Sequence, residues 1–281
     1  MIIVTGATGV LNGATVEHLL RRIPSSRIGV SVRDPRRAQH LADQGIRVRQ
    51  GSYDDPDALR DSFADAEQVL LVSSSDITAD VVTQHRTAID AAVEAGAQRI
   101  LYTSTHGAGF DTPYPPLAIH AATEQHLASS GVAWTALRNG FYGDLSQLLG
   151  RWQETGTIAK PADGPFSWID RRDAAEAAAA ILTSDPQPVG PVDLTLPTPI
   201  TLTDFASAAS DLTGRRIERV VVDDEEWVAE EMANGVSAEV ARFTLSMFQA
   251  TRSGYFSQSK PTLARLLGRE PRSVAEQLAD E

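Results

Sequence analysis

The chain has 281 residues, enough to bury a large core as one extended domain or as a domain with an added lobe. Its 25 Lys and Arg stand against 37 Asp and Glu, and the resulting charge of −12 disfavours nucleic acid or an anionic membrane as partner. There is no cysteine, hence no disulfide, thiolate nucleophile or cysteine-held metal, and no run approaches the ~20 apolar residues of a membrane span.

The opening run Met1-Ile2-Ile3-Val4 is short and lacks a preceding basic segment, so it reads as a strand rather than a signal peptide. A cytoplasmic protein is the simplest expectation. The run breaks at Thr5-Gly6-Ala7-Thr8-Gly9 and continues into a helical pattern over Ala14–Arg22. Strand, glycine turn and helix in that order suit a dinucleotide pyrophosphate. Glycine admits the phosphates close to the backbone, and the first helical turn offers unpaired N–H groups at a positive dipole end. Gly6, Thr8, Gly9, Val10, Leu11 and Asn12 are the residues expected around that group.

Strands are expected next at Ile28–Val32, Arg47–Gln50, Gln68–Val72, Arg99–Thr103 and Thr135–Arg138. Helices are expected between them at Pro35–Asp43, Pro56–Phe63, Asp80–Ala95 and Leu117–Ser129. Asp34-Pro35 and Asp55-Pro56 each supply a cap followed by a first-turn proline. The alternation predicts an α/β fold: a doubly wound, Rossmann-type parallel sheet with helices on both faces. From Leu145 onward the pattern loosens. A helix is expected at Leu145–Trp152, short strands at Thr157–Ala159 and Phe166–Ile169, and an Ala-rich helix at Arg171–Thr183. A strand at Val192–Leu196, a helix at Leu202–Thr213 and a strand at Ile217–Val222 precede mainly helical sequence. The expected division is a nucleotide-binding core over 1–150 and a small α/β lobe over 151–281, with Phe166–Thr183 and Val192–Leu196 returning to the core.

Several motifs resemble the NmrA-like atypical short-chain dehydrogenase/reductases: the glycine turn, Glu17-His18-Leu19-Leu20 and Val32-Arg33-Asp34-Pro35. Gly51-Ser52-Tyr53, His120-Ala121-Ala122-Thr123-Glu124 and Leu137-Arg138-Asn139-Gly140-Phe141-Tyr142 are similar to those of the type 2 NAD(P)H:quinone oxidoreductase and triphenylmethane reductase group. The resemblance implies an NADPH-binding core, a C-terminal substrate lobe, and hydride transfer to quinone-like or dye-like acceptors. NADH stays admissible. Two positions depart from the family pattern. Asn12 stands where a third glycine is expected, with Gly13 directly after it, and Asn there is read as a good N-cap that tolerates left-handed φ. Ser52 replaces an acidic residue, so only its backbone or hydroxyl is expected to serve the adenine half, beside Tyr53.

Arg33, with Arg36 and Arg37, forms a basic rim at the end of the second strand, where a cation favours the 2′-phosphate of NADPH. The plainer alternative is a set of surface arginines. Ser73, Ser74 and Ser75 follow the fourth strand, where small residues admit the nicotinamide half. A Tyr-x-x-x-Lys pair would let lysine lower the phenol pKa for proton donation to an alkoxide. The only lysines are Lys160 and Lys260, preceded at that spacing by Gly156 and Phe256, so the pair is absent. Conventional carbonyl reduction and sugar-nucleotide epimerisation both lose their acid. An electron-poor acceptor eases the problem, since a quinone yields a weakly basic phenolate on reduction.

His120, Tyr142 and Asn139 are the expected catalytic side chains, and Asn139 and Phe141 are also assigned to the cofactor. For His120 the alternative is a histidine packed on the sheet; for Phe141, plain core. His106 reads as a surface-loop residue, and Arg171 matches a family arginine near the site. Trp227, Phe243, Phe248 and Tyr255 are read as either an apolar lid or core. Six scattered histidines give no metal-ligand spacing. The favoured function is thus an NADPH-dependent reductase of a small-molecule acceptor. The runner-up is a non-enzymatic NAD(P)-binding redox sensor. A homodimer stays open.

Overall fold

The computed structural model describes residues 1–74, 76 and 79–280. Seven strands form one parallel sheet: β1 (Ile2–Thr5), β2 (Ile28–Val32), β3 (Arg47–Gln50), β4 (Gln68–Leu71), β5 (Arg99–Thr105), β6 (Ala133–Asn139) and β8 (Gly190–Leu194). Their order is β3-β2-β1-β4-β5-β6-β8, with Ile3 level with Gly29 on one side and Val69 on the other. The chain therefore winds outward from β1 in both directions. Two strands that leave in opposite directions open a crevice at their carboxyl ends, and here those strands are β1 and β4.

Alternating side chains on β1 feed two cores. Ile2 and Val4 join α1 (Val10–Leu20) and α8 (Arg171–Thr183) through Val16, Leu19, Ala177 and Ile181. Ile3 joins α3 (Pro56–Phe63) and α4 (Val81–Glu94) on the opposite face, through Leu59, Phe63 and Ile89. Burial on both faces is what the unbroken apolar runs require. Helix α5 (Pro115–Ser129) completes that second layer beside α4. Local signals act as expected: Asp34 accepts from Arg36 N at 3.1 Å and Asp55 from Ala58 N at 3.0 Å ahead of α3; Asp80, expected inside its helix, instead caps α4 by accepting from Thr83 N at 3.1 Å.

The remaining chain forms a separate two-stranded parallel sheet from β7 (Thr157–Lys160) and β9 (Glu218–Val221). Around it lie α9 (Leu202–Thr213), α10 (Asp224–Ala233) and α11 (Ala238–Arg252), followed by α12 (Thr262–Leu267) and α13 (Val274–Ala279). Trp152, Phe205, Trp227, Leu245, Phe248 and Phe256 fill the third core, which also takes in Leu117 of α5. Among the described residues no helix is long and apolar enough to cross a membrane.

Four expected elements change. The Pro35–Asp43 helix opens as a 3-10 turn over Pro35–Ala38 and only then becomes α2 (Gln39–Ala42). The Leu145–Trp152 helix splits into α6 (Leu145–Leu149) and α7 (Trp152–Thr155), because Gly150 between them has φ of +72°. Phe166–Ile169 is not a ladder strand. Phe166 exchanges both backbone bonds with Ile200, whereas Ser167 and Ile169 turn to Phe141, so each partner gets a single bridge. Strand β8 stops at Leu194, because the amide of Leu196 turns away to the Ser167 hydroxyl at 2.6 Å.

Candidate active site

The glycine turn closes with Gly9 N donating to Gly6 O at 2.9 Å. Gly6 has φ of +64°, and a Cβ placed on it would stand 2.6 Å from Val72 Cγ1 of the neighbouring strand end. No side chain other than hydrogen fits there. Gly9 is the N-cap of α1 and provides no side-chain cap, so the amides of Val10, Leu11 and Asn12 have no acceptor among the described residues. Asn12 is therefore inside the helix rather than its cap. It is buried, and its Nδ2 donates to Thr5 O at 2.8 Å, while its Oδ1 has no partner. The close approach that the missing glycine would permit occurs instead at Gly13, where a Cβ would lie 3.1 Å from Ala7 O.

At the end of β2, Arg33, Arg36 and Arg37 are all exposed. Arg36 is not free. Asp34 accepts from its Nε at 2.9 Å and its Nη2 at 3.0 Å. The basic rim thus reduces to Arg33 and Arg37, which form no ion pair among the described residues. Ser52 lies in a turn, its hydroxyl 3.4 Å from Asp54 N. Tyr53 ties β1 to β4: its hydroxyl lies 2.7 Å from Thr5 Oγ1 and donates to Val72 O at 2.8 Å, and its burial pushes its pKa up. Only its ring is left for a ligand. Ser73 N donates to Thr103 Oγ1 and Ser74 N to His85 Nε2, both at 2.8 Å. Ser75 lies outside the described residues.

Beneath these residues, a line of rings runs inward from the crevice. His85 of α4 lies against Tyr53 and against Tyr102 of β5, and Tyr102 lies against His120 of α5. Tyr102 Oη is 2.7 Å from His120 Nδ1. Burial pushes His120 down to about 3, helped by His85, which burial pushes down to about 4. Both imidazoles are neutral at physiological pH. One turn further along α5, the buried Glu124 holds Arg138 by two bonds at 2.9 and 2.6 Å and accepts from Ser104 Oγ at 2.6 Å.

Asn139 ends β6, buried, with Oδ1 unpartnered. Phe141 has both backbone groups engaged, to Ser167 and Ile169, and its ring packs at 4.5 Å on Phe256. Tyr142 carries the Arg171 guanidinium 5.9 Å over its ring and packs with the α1 and α8 cluster, with no hydrogen bond or ring contact to His120 among the described residues. The structure therefore brings Asn12, Tyr53, Ser73 and Ser74 to the β1/β4 crevice and His120 to a chain leading from it. Tyr142 and Phe141 lie in other clusters.

His106 is no surface residue. It is buried, its Nδ1 lies 3.3 Å from Asp193 Oδ1, and its Nε2 has no partner. Asp193 also takes Lys260 Nζ at 2.6 Å, and these two contacts hold its carboxyl well below the usual range. Trp227 and Phe248 are core, stacked edge-on at 5.8 Å, whereas Phe243 and Tyr255 remain partly exposed. Sequence reasoning missed His85, Tyr102, Asp193 and Lys260. Only Tyr102 left a signal: a tyrosine inside a buried strand needs a partner for its hydroxyl.

A family model described as NAD(P)H-binding matches residues 6–185. The chain belongs to that NAD(P)H-binding, NmrA-like family. Quinone oxidoreductase 2 of Escherichia coli is 34% identical to this NmrA-like chain over 99% of its length and 98% of the relative's. The crystal structure of the Escherichia coli NADPH-dependent quinone oxidoreductase, complexed with NADPH, superposes with TM-score 0.92 at 32% identity, covering 100% of this chain and 99% of the other. The Citrobacter sp. triphenylmethane reductase complexed with NADP(H) matches with TM-score 0.92 at 31% identity, again over 100% and 99%.

The residues present fit a dinucleotide. Gly6 leaves room that any Cβ would fill, and among the described residues the first α1 amides have no acceptor and Arg33 and Arg37 form no ion pair, Asp34 acting on Arg37 only at longer range. The buried orphan oxygens of Asn12 and Asn139 lie at the carboxyl ends of the strands, where such a molecule would run.

Proposed function

We propose that this protein is an NADPH-dependent oxidoreductase that reduces quinone-like or other planar, electron-poor acceptors by direct hydride transfer. The observation that carries the cofactor half is the uncapped first turn of α1 behind a glycine that tolerates no side chain, combined with two guanidiniums at the end of β2 that form no ion pair among the described residues. The acceptor class is supported by the relatives, which include a quinone reductase and a dye reductase.

Residue by residue, Gly6, Thr8, Gly9, Val10, Leu11 and Asn12 would hold the pyrophosphate, chiefly through backbone N–H groups. Arg33 and Arg37 would take the 2′-phosphate, and Ser52 with the Tyr53 ring would flank the adenine. Ser73, Ser74 and the Asn139 side chain would face the nicotinamide half. Bound NADPH supplies the hydride. His120 and Asn139 would offer polar groups to the acceptor, and the rings of Tyr142 and Phe141, packed in neighbouring clusters, would stand at its edge. No Tyr-x-x-x-Lys pair stands by, because reduction of a quinone produces a phenolate-like oxyanion far less basic than an alkoxide. Such an anion needs orientation and exclusion of water more than a strong acid. We assign residues 1–150 to the cofactor core and most of 151–281 to the substrate lobe, with 166–183 and 192–196 belonging to the core. The cytoplasm suits a chain without cysteine.

The test mixes purified protein with NADPH and a panel of quinones and cationic dyes and follows the absorbance of the reduced nicotinamide. Acceptor-dependent loss of that absorbance is expected. Tight cofactor binding without turnover on any acceptor would instead identify a sensor of nucleotide redox state.

A further inference from the structure

We infer that Tyr102 is a positioning residue that fixes His120 in the tautomer carrying its proton on Nε2, making it a neutral hydrogen-bond donor rather than an acid or base. The assignment follows from counting protons along the buried chain. Ser74 N–H donates to His85 Nε2 at 2.8 Å, so that nitrogen bears no proton. A neutral His85 must then carry its proton on Nδ1, which lies 2.9 Å from Thr123 Oγ1. Thr123 can accept it, because its own hydroxyl donates to Ile119 O at 2.9 Å.

Tyr102 therefore meets two ring nitrogens of opposite character. His85 Nδ1, at 3.3 Å, already holds a proton and cannot accept another. Besides the Thr123 hydroxyl, which also faces the phenol and already takes the His85 proton, His120 Nδ1 at 2.7 Å is the short-range acceptor, and the phenol is assigned as donating to it. A neutral His120 with Nδ1 occupied as acceptor has its single proton on Nε2. That nitrogen has no partner among the described residues.

The chain starts at the backbone of Ser74, just past β4, so the crevice wall itself sets the tautomer three groups away. Burial acts in the same direction: it holds both histidines neutral and pushes the Tyr102 phenol well above its usual range, so the phenol proton stays in place to donate. The donor would serve an oxygen of the bound cofactor or acceptor, and this last clause rests on the oxidoreductase reading above.

The first experiment needs no activity. Long-range proton–nitrogen correlation spectra of histidine-labelled protein report the tautomer directly, with His120 identified by the signal lost in His120→Gln. An Nε2-protonated ring is expected in the native protein, and Tyr102→Phe should release it toward a mixture of tautomers with the fold intact by circular dichroism. An Nδ1-protonated His120, or a spectrum indifferent to Tyr102→Phe, overturns the inference. The second experiment reads turnover with a quinone. Tyr102→Phe should lower kcat by about tenfold, the weight of one hydrogen bond, with the KM for NADPH changed less. His120→Gln, whose amide nitrogen stands where Nε2 stood, should retain more activity than His120→Asn. It should also make the further Tyr102→Phe change nearly silent. Equal effects of Tyr102→Phe on native and His120→Gln backgrounds would refute positioning. Absence of all quinone turnover would sink the oxidoreductase reading alone and leave the tautomer result standing.

Discussion

Asp34 holds Arg36 through both its oxygens, and Arg33, three residues earlier, has no carboxylate partner among the described residues. The pairing has an electrostatic consequence. An aspartate at the end of β2 would repel a ribose 2′-phosphate, but the Arg36 guanidinium holds that carboxyl below its usual range and cancels its charge locally. Arg33 and Arg37 then act as the net positive groups. Arg33→Ala should weaken NADPH binding by about tenfold to hundredfold, the range of a charge-assisted hydrogen bond, and leave NADH nearly unchanged. Arg36→Ala should weaken NADPH only several-fold, by exposing Asp34. Titration calorimetry with both nucleotides checks this, and an unchanged NADPH/NADH ratio in Arg33→Ala would count against the assignment.

Gly6 carries two constraints at once, a left-handed φ of +64° and a contact of 2.6 Å between a would-be Cβ and Val72 Cγ1. Gly96 carries only the first, with φ of +84° and nothing within 4 Å. Gly96→Ala should therefore cost about 1–2 kcal/mol, from backbone strain alone. Gly6→Ala should cost about 1–3 kcal/mol more, as β4 is pushed away from the turn, and should also reduce cofactor affinity at least tenfold. Thermal melts of both variants with and without NADPH separate the two effects. Equal Tm losses and equal ligand-induced shifts would show that the turn tolerates a methyl group.

What the sequence made legible was local or periodic. The strands of the sheet stand out because burial on both faces leaves apolar runs such as Val69-Leu70-Leu71. The capped starts at Asp34 and Asp55 stand out because the cap and its helix are adjacent in the chain. The glycine turn and the arginine rim belong to the same class. The rest depends on contacts across great sequence separation. His106 looks like a loop residue until Asp193, 87 positions later, and Lys260 close over it. Tyr102, His85 and His120 come from three elements and share no motif. Phe166–Ile169 has strand-like composition, yet two competing partners divide its backbone bonds. The Arg36 pairing was within reach, since Asp34 is only two residues away, but a charge list alone does not tell which of three arginines turns back.

The His106–Asp193–Lys260 cluster should make stability sensitive to acid. Asp193 in the folded state titrates well below the ordinary carboxylate value of 3.8, first because of the His106 contact and then because of Lys260. A depressed folded pKa stabilises fully above the unfolded value and loses its effect as pH falls through the folded one. The native protein should thus lose stability progressively below about pH 4, and part of that loss should vanish in Asp193→Asn. At pH 7 the variant should be the less stable of the two, because it discards a charged partner of Lys260. Urea unfolding at pH 7 and near pH 3 tests the sign. A difference between the two proteins that is constant across that range would exclude Asp193 as the titrating group.

Asn12 presents opposing effects on one side chain. Its Nδ2 bond to Thr5 O, at 2.8 Å, ties the first turn of α1 to the end of β1, whereas the buried Oδ1 lost its water without gaining a partner. The bond contributes about 1 kcal/mol and the orphaned acceptor costs about 1–3 kcal/mol, so the two nearly offset in the free protein. Asn12→Gly removes both, and the added flexibility of glycine inside a helix costs about 1 kcal/mol. The expected outcome is a small net destabilisation, about 1 kcal/mol or less, with cofactor affinity within threefold, because Gly13 already provides the close approach to Ala7. Asn12→Asp differs sharply. It turns a carboxylate oxygen toward the Thr5 carbonyl and buries a negative charge at the helix end meant for an anion, so both stability and NADPH affinity should fall by tenfold or more. Urea unfolding and calorimetric titration of the two variants decide the matter: a clear gain of stability in Asn12→Gly would mean that the unpaired oxygen outweighs the tie to β1.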